Sequence, residues 1–388
     1  MKRSEGRVLT THAGSLPRPK PLVDLLVRMS KREPVDEAAY DVQVEEATRQ
    51  AVSRQIEAGI DVGNDGEQGR ESFFTYVQHR MSGFSGTSER PVMRDILHFP
   101  SFLELRLPEF SKTMVDLLHG PQATGPVAYT DAAPIERECD RVLAILNRAE
   151  PGFAEPFMTA PSPGIVAAAM TNAHYDRFDD YLFALADALR VEYEHIVSRG
   201  ILLQLDCPDL AMERHTLFAD KPLGEFIAFV ELVIEAINRA LEKIPPERVR
   251  MHVCWGNYEA PHHLDVPLQE ILPSLYGARV GAIMLSMANP RHEHEYRCFE
   301  KTPLPGDMAL VAGVIDTTTN YVEHPEVVAD RIERAAHAVG DPTRVLAGTD
   351  CGFATAAGLG EVAEEVVWAK LRALREGADI ASKRLFPG

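Results

Sequence analysis

Cysteine is scarce in this chain: there are five in 388 residues, odd in number and widely spaced. The start, "MKRSEGRVLTTHAG", has basic residues but no apolar run of signal-peptide length, so a disulfide framework is not expected and the thiols are left to packing, metals or chemistry. Nowhere is there a stretch of about 18 uninterrupted apolar residues, the length a membrane-spanning helix requires. Positive charge is also in deficit. Lys and Arg total 40 against 58 Asp and Glu, and the net charge of −18 repels phosphate backbones and anionic lipid surfaces. Neither nucleic acid nor membrane is an expected partner, and a cytoplasmic location is expected. Aromatic residues are few, at 7%, while 45% hydrophobic and 25% charged residues are ordinary for a folded enzyme. No low-complexity run or solenoid-period repeat occurs.

What the chain has in quantity is alternation. Short apolar, β-branched runs occur at 7–14, 59–67, 156–164, 201–210, 248–257, 281–290, 308–316 and 344–352, most followed by an amphipathic helical pattern such as "DYLFALADALRVEYEHIVSRG". Eight βα units predict a (β/α)8 TIM barrel, read as one domain over 1–388. Each run ends in small or polar residues ("HAGS", "NDGEQG", "APSPG", "LDCPD", "HVCWGN", "MANP", "VIDTTTN", "GTDCG"), as expected where an active site is built at the carboxyl ends of barrel strands. Residues 75–155 do not fit a minimal barrel and are expected to form an inserted excursion that packs on it.

The motif "HVC" sets His252 and Cys254 two apart at the end of the fifth run, and in a strand such residues share a face. Cys351 ends the eighth run in "GTDCGFATAAG", so on a barrel all three open onto one side. Taken singly, a strand cysteine is more often a small buried hydrophobe than a ligand. Two thiols and an imidazole with a fourth position vacant match a catalytic zinc site. Zinc lowers the pKa of what it binds, and a thiol held there becomes a thiolate at neutral pH, which suits alkyl transfer to sulfur. Cys207 in "QLDCPDL" is a weaker candidate ligand beside Asp206, whose alternative role is a helix cap, while Cys139 and Cys298 are expected to be structural.

These motifs, in this order, resemble the cobalamin-independent methionine synthases, specifically their catalytic C-terminal barrel: "TTHAGSLPRP" at 10–19, "GNDGEQGRESFF" at 63–74, "MTAPSPG" at 158–164, "QLDCPDL" at 204–210, "HVC" at 252–254 and "GTDCGFAT" at 348–355. The resemblance implies a zinc ion on His252, Cys254 and Cys351 that binds homocysteine, which takes a methyl group from a methylfolate or another small-molecule donor. It implies contacts to the amino acid's carboxylate at Gly14 and Ser15, and to its amino group at Glu67 and Asp206. Without that likeness, Ser15 reads as a turn residue and Glu67 as a surface charge in a glycine-rich loop.

Three departures stand out. The family's fourth zinc ligand, a glutamate at the end of the sixth strand, falls at Ser286, with His292, Glu293, His294 and Glu295 downstream as substitutes. The chain opens at the catalytic barrel, like the short single-barrel branch. The family's histidine after the seventh strand is replaced by "DTTTN", so no general acid is assigned. That branch also includes epoxyalkane:coenzyme M transferases (2-hydroxyalkyl-coenzyme M lyases), the alternative reading, which need no ammonium-binding carboxylates. Trp255, Asn257 and Tyr258 are candidates for the pocket wall. A homo-oligomer is left open.

Overall fold

The structure, a computed structural model, describes residues 1–106 and 114–387. Runs such as "LLQLD" and "AIMLS" are buried along their whole length, which marks parallel strands covered on both faces. The strands are β1 Val62–Gly63, β2 Met81–Ser85, β3 Gln122–Tyr129, β4 Glu155–Pro161, β5 Leu202–Asp206, β6 Val249–Val253, β7 Ala282–Ser286, β8 Ala309–Ile315 and β9 Val345–Thr349. Among the described residues, β1 and β4 to β9 make one parallel sheet in the order β1-β4-β5-β6-β7-β8-β9. The segment 9–13 closes it: Thr10 bridges Ala347 of β9 and Thr11 bridges Val62 of β1, both in parallel. Eight staves result, a (β/α)8 barrel.

The first two staves are shorter than the sequence predicts. The expected strand at 7–14 supplies only those two bridges, and the one at 59–67 shrinks to Val62–Gly63. Side chains take over the ladder there. Asp61 Oδ2 accepts the Thr10 amide at 2.9 Å, and Gln55 Oε1 accepts the Asn64 amide at 3.0 Å.

Helices follow the staves on the outside: Lys20–Ser30 and Glu37–Glu57, Ala133–Leu146, Phe178–Ser198, Leu223–Ala240, Leu268–Leu275, Pro325–Val339 and Glu364–Leu385. Phe178–Ser198 shows why. Leu182, Leu185, Leu189, Tyr193 and Ile196 recur at helical spacing and are buried against the sheet, while Asp179 and Asp180 complement the helix dipole in the first turn. After β7 only the four-residue helix Cys298–Lys301 forms. Outward strand residues such as Met251, Val253 and Ile283 join the large core beneath the helices. Inward ones, Phe157, Leu202, Ala282, Met284, Ala309, Val311 and Leu346, fill the barrel.

The excursion expected over 75–155 includes residues 107–113, which lie outside the described residues. In the rest, β2 and β3 pair antiparallel. Arg70 and Arg80 share Glu138, at 3.0 and 2.6 Å, and Arg80 also reaches Glu192 at 3.0 Å, so buried ion pairs tie β2's edge to two barrel helices. On the helix Arg94–Leu97, Asp95 accepts the His262 amide at 2.9 Å and the Tyr258 hydroxyl at 3.2 Å, reaching the loop after β6. Among the described residues, no helix is long and apolar enough to cross a membrane.

Candidate metal centre

Strand register stacks the polar residues inside the barrel in layers. Gln204 of β5 lies level with Arg250 of β6, and one step up Asp206 lies level with His252. Alternation then turns Cys254 inward above His252. Ring closure carries the end of β9 to the same place. The Cys351 sulfur lies 3.8 Å from that of Cys254, and one ligand atom from each of His252, Cys254 and Cys351 fits within 4.8 Å of the others. All three are buried, and they are the only such group of histidine, cysteine and acidic side chains among the described residues.

In the lower layer a cation meets only neutral acceptors. Arg250 donates to Gln204 Oε1 at 2.8 Å, Thr11 Oγ1 at 3.0 Å and the His12 carbonyl at 3.0 Å, with its guanidinium 3.8 Å over the Phe157 ring. Above it, Asp206 Oδ1 accepts Gln204 Nε2 at 2.8 Å and faces His252 Nδ1 at 3.1 Å. Burial works against a charged His252, but hydrogen bonds to Asp206 and Cys254 outweigh it and lift the imidazole to about 10. The hydrogen bond from the Cys351 thiol, helped by His252, holds Cys254 well below the ordinary thiol range against burial. Cys351, as the donor, is held above it. This proton-sharing donor set, one nitrogen and two sulfurs, suits a zinc ion, with Asp206 placed to orient the imidazole as carboxylates commonly do at metal sites.

The site is framed by two further loops. Glu67 is 1% exposed, which corrects the surface-charge reading, and it sits at φ 56. A non-glycine residue there costs roughly 1–3 kcal/mol and persists only where its surroundings over-determine it. Asp65 Oδ1 accepts the Glu67 amide at 3.0 Å and Arg18 donates to the Glu67 carbonyl at 2.8 Å. Glu67 Oε1 accepts Thr159 Oγ1 at 2.9 Å, while Oε2 has no hydrogen-bond partner. Burial, then the charge of Asp206, push this carboxyl up to about 7. Gly14 lets it come close: at φ +131, a Cβ there would lie 2.6 Å from Glu67 Oε1 and 2.6 Å from Thr159 Cγ2. The neighbouring Asn64 Nδ2, also buried, is a second polar atom without a partner. Ser15 Oγ lies against the turn after Cys351, where a Cβ on Gly352 would collide with it, and accepts the Ala354 amide at 3.4 Å.

The remaining expectations divide. Cys207 does not join the triad. One residue past Asp206, it faces outward into the helix-side core, with its sulfur 3.6 Å from the Leu205 carbonyl oxygen. Ser286 is buried and donates to the Asp350 carbonyl oxygen at 2.9 Å, the same oxygen that His252 Nε2 approaches at 3.2 Å. His292 and Glu295 do not substitute for a glutamate there. They form a separate cluster in which His292 bonds Glu295 at 2.9 Å and Asp265 at 2.8 Å. Trp255 is packing rather than pocket wall: its ring stacks 4.0 Å from His292 and its N–H reaches the Val266 carbonyl at 2.8 Å.

Two contributors were missed at the sequence level. Asn64 stands in a quoted motif but is an ordinary loop residue until its burial is known. Asp350, beside Cys351, accepts the amides of Met287, Ala288 and Asn289, each at 2.8 Å, and so ties the end of β9 to the loop after β7. Its carboxylate beside a strand-end cysteine was the available signal.

The fold and this donor set define a class, a (β/α)8 barrel with a His-Cys-Cys metal-type site at the carboxyl ends of its strands. No family model matches the chain. It is 24% identical over 380 residues to the methionine synthase of Saccharolobus solfataricus, covering 97% of this chain and 95% of that one. It is 25% identical over 352 residues to the methionine synthase of Sulfolobus acidocaldarius, covering 89% and 85%. Its fold matches a B12-independent methionine synthase from Shewanella sp. W3-18-1, solved in complex with selenomethionine, with TM-score 0.72, 21% identity and 98% and 99% coverage. Over nearly its whole length the chain is similar to methionine synthases, and it shares the fold of a cobalamin-independent one.

Proposed function

We propose that the chain is a zinc-dependent methyltransferase that transfers a methyl group to the thiol of homocysteine. The observation that carries this is the convergence of His252, Cys254 and Cys351 within 4.8 Å in a buried site. Zinc held there would acidify a bound thiol and supply a sulfur nucleophile at neutral pH.

The protein's own groups do the rest. Glu67 Oε2, buried and without a partner, is placed to receive an ammonium, and Asp206 adds negative charge beside it. Gly14 and Ser15, with the Asn64 amide, offer room and donors for the carboxylate. Burial keeps water from the nucleophile and strengthens each of these interactions. We take 1–388 as one functional unit in which the described part of the excursion over 75–155 packs on the barrel, a reading supported by the Asp95 contacts to the loop after β6. The methyl donor is a small molecule, with a methylfolate the first to assay.

The two carboxylates favour an amino-acid thiol over coenzyme M, whose sulfonate they would repel. Zinc analysis of the purified protein, with thiol-proton release followed on adding homocysteine or coenzyme M, tests this. About one zinc per chain, proton release with homocysteine only, and loss of both zinc and methyl transfer in Cys351→Ser are expected. Full zinc content and transfer in Cys351→Ser would overturn the proposal, and release with coenzyme M alone would select the epoxide-opening alternative.

A further inference from the structure

Asn257 lies three residues beyond Cys254 and belongs to neither the metal triad nor the amino-acid contacts. Its side-chain N–H donates to the Gly352 carbonyl at 2.7 Å, the peptide that follows Cys351. Its Oδ1 accepts the hydroxyl of Thr317 at 2.7 Å. Thr317 stands just past β8 and is 1% exposed. One amide thus joins the loops after β6 and β9, the two loops that present the sulfurs. A third loop, after β8, decides which way that amide faces. The other side of Cys351 is held as well, because Thr349 Oγ1 donates to the Cys351 carbonyl at 2.7 Å.

This arrangement has one outcome that local packing does not need. An amide is chemically different at its two ends, so only one orientation gives a donor to Gly352, and a threonine hydroxyl fixes that orientation by donating to the oxygen end. The hydroxyl can donate only once, so the direction of both bonds is set by Thr317. Gly256, at φ +106, makes the turn that brings Asn257 across.

We infer that Asn257, oriented by Thr317, is a positioning residue that sets the spacing of Cys254 and Cys351 and thereby the affinity of the site for its metal. The inference rests on the zinc reading above but has a readout that does not. Outer groups that hold metal ligands in place are commonly worth about 10–100-fold in metal affinity.

The test compares wild type with Asn257→Ala, Asn257→Asp, Thr317→Val and Thr317→Ser. Zinc affinity is measured by competition with a chromogenic chelator, and the cobalt-substituted protein's thiolate-to-metal absorption is recorded. Separately, metal-free protein is equilibrated in glutathione buffers and the fraction with Cys254 and Cys351 joined as a disulfide is read by mass spectrometry. Asn257→Ala should weaken zinc by about tenfold or more. Asn257→Asp should weaken it further, since a carboxylate oxygen would then face the Gly352 carbonyl. Thr317→Val should fall between, and Thr317→Ser, which keeps the hydroxyl, should match wild type. The disulfide equilibrium should shift in the same three variants. If zinc affinity, cobalt spectrum and disulfide equilibrium are all unchanged in Asn257→Ala and Thr317→Val, the inference is wrong. If wild type binds no zinc yet the disulfide equilibrium still moves with Asn257, the zinc proposal fails while the spacing role of Asn257 stands.

Discussion

Two adjacent layers inside the barrel are built from similar residue types and behave in opposite ways. In the lower one, Arg250 reaches Gln204, Thr11 and His12, and every bond of the guanidinium closes on a protein acceptor. In the upper one two thiols face each other across 3.8 Å, and in the loop that frames it Glu67 Oε2 and Asn64 Nδ2 are buried with no partner. Buried polar atoms are normally satisfied, and each exception costs stability. The difference teaches where the fold ends and the proposed site begins: satisfied polarity holds the staves together, whereas the polar atoms left without partners beside the thiols are those the proposed function assigns to a ligand.

Breaking the lower layer should be the costlier change in stability. Arg250→Met strands the acceptors on Gln204 and His12 and leaves Asp206 without the positive charge beneath it. A loss on the order of 3 kcal/mol is expected, read as a lower urea midpoint at unchanged slope. A midpoint equal to wild type would mean that the two layers are not distinguished by satisfaction.

The upper layer should respond in the reverse sense. Glu67→Gln should raise KM for homocysteine about 10–100-fold, the worth of a charged hydrogen bond, while leaving the unfolding midpoint equal to or above that of wild type. The pH dependence follows from the raised carboxyl. Glu67 titrates near 7 when folded, above its ordinary value, so the unfolded chain gives up its proton first. The folded state is therefore favoured at low pH, and this contribution is lost as pH rises from the ordinary glutamate range through about 7. Glu67→Gln should flatten that decline in urea titrations without thiol. A decline that persists unchanged would assign it to another group.

The smallest effect sharpens the comparison at its edge. Ser286→Ala removes one hydrogen bond to the Asp350 carbonyl oxygen, which His252 also approaches. About 1 kcal/mol of stability should go, with zinc content unchanged, because Ser286 faces a backbone oxygen rather than the sulfurs. Loss of zinc in Ser286→Ala would make this serine a ligand.

Much of this was legible in residue order. The βα alternation announced the barrel, and "HVC" placed His252 and Cys254 on one face because strand geometry has period two. The first two staves were over-read, since Asp61 and Gln55 supply side-chain bonds where a ladder was expected. Cys207 was ambiguous for the same reason that His252 and Cys254 were not: a single residue at a strand end can face either way.

By itself, then, the sequence determined the acidic charge, the number of βα units and the facing of neighbours along each strand, because these depend on composition or on residues a few positions apart. The tertiary structure alone decided that Cys254 and Cys351 meet across 97 residues, that Glu67 is buried at a strained φ, and that Ser286 spends its hydrogen on a carbonyl. Those facts come from closing eight staves into a ring, and ring closure sets distances between residues that no local pattern connects.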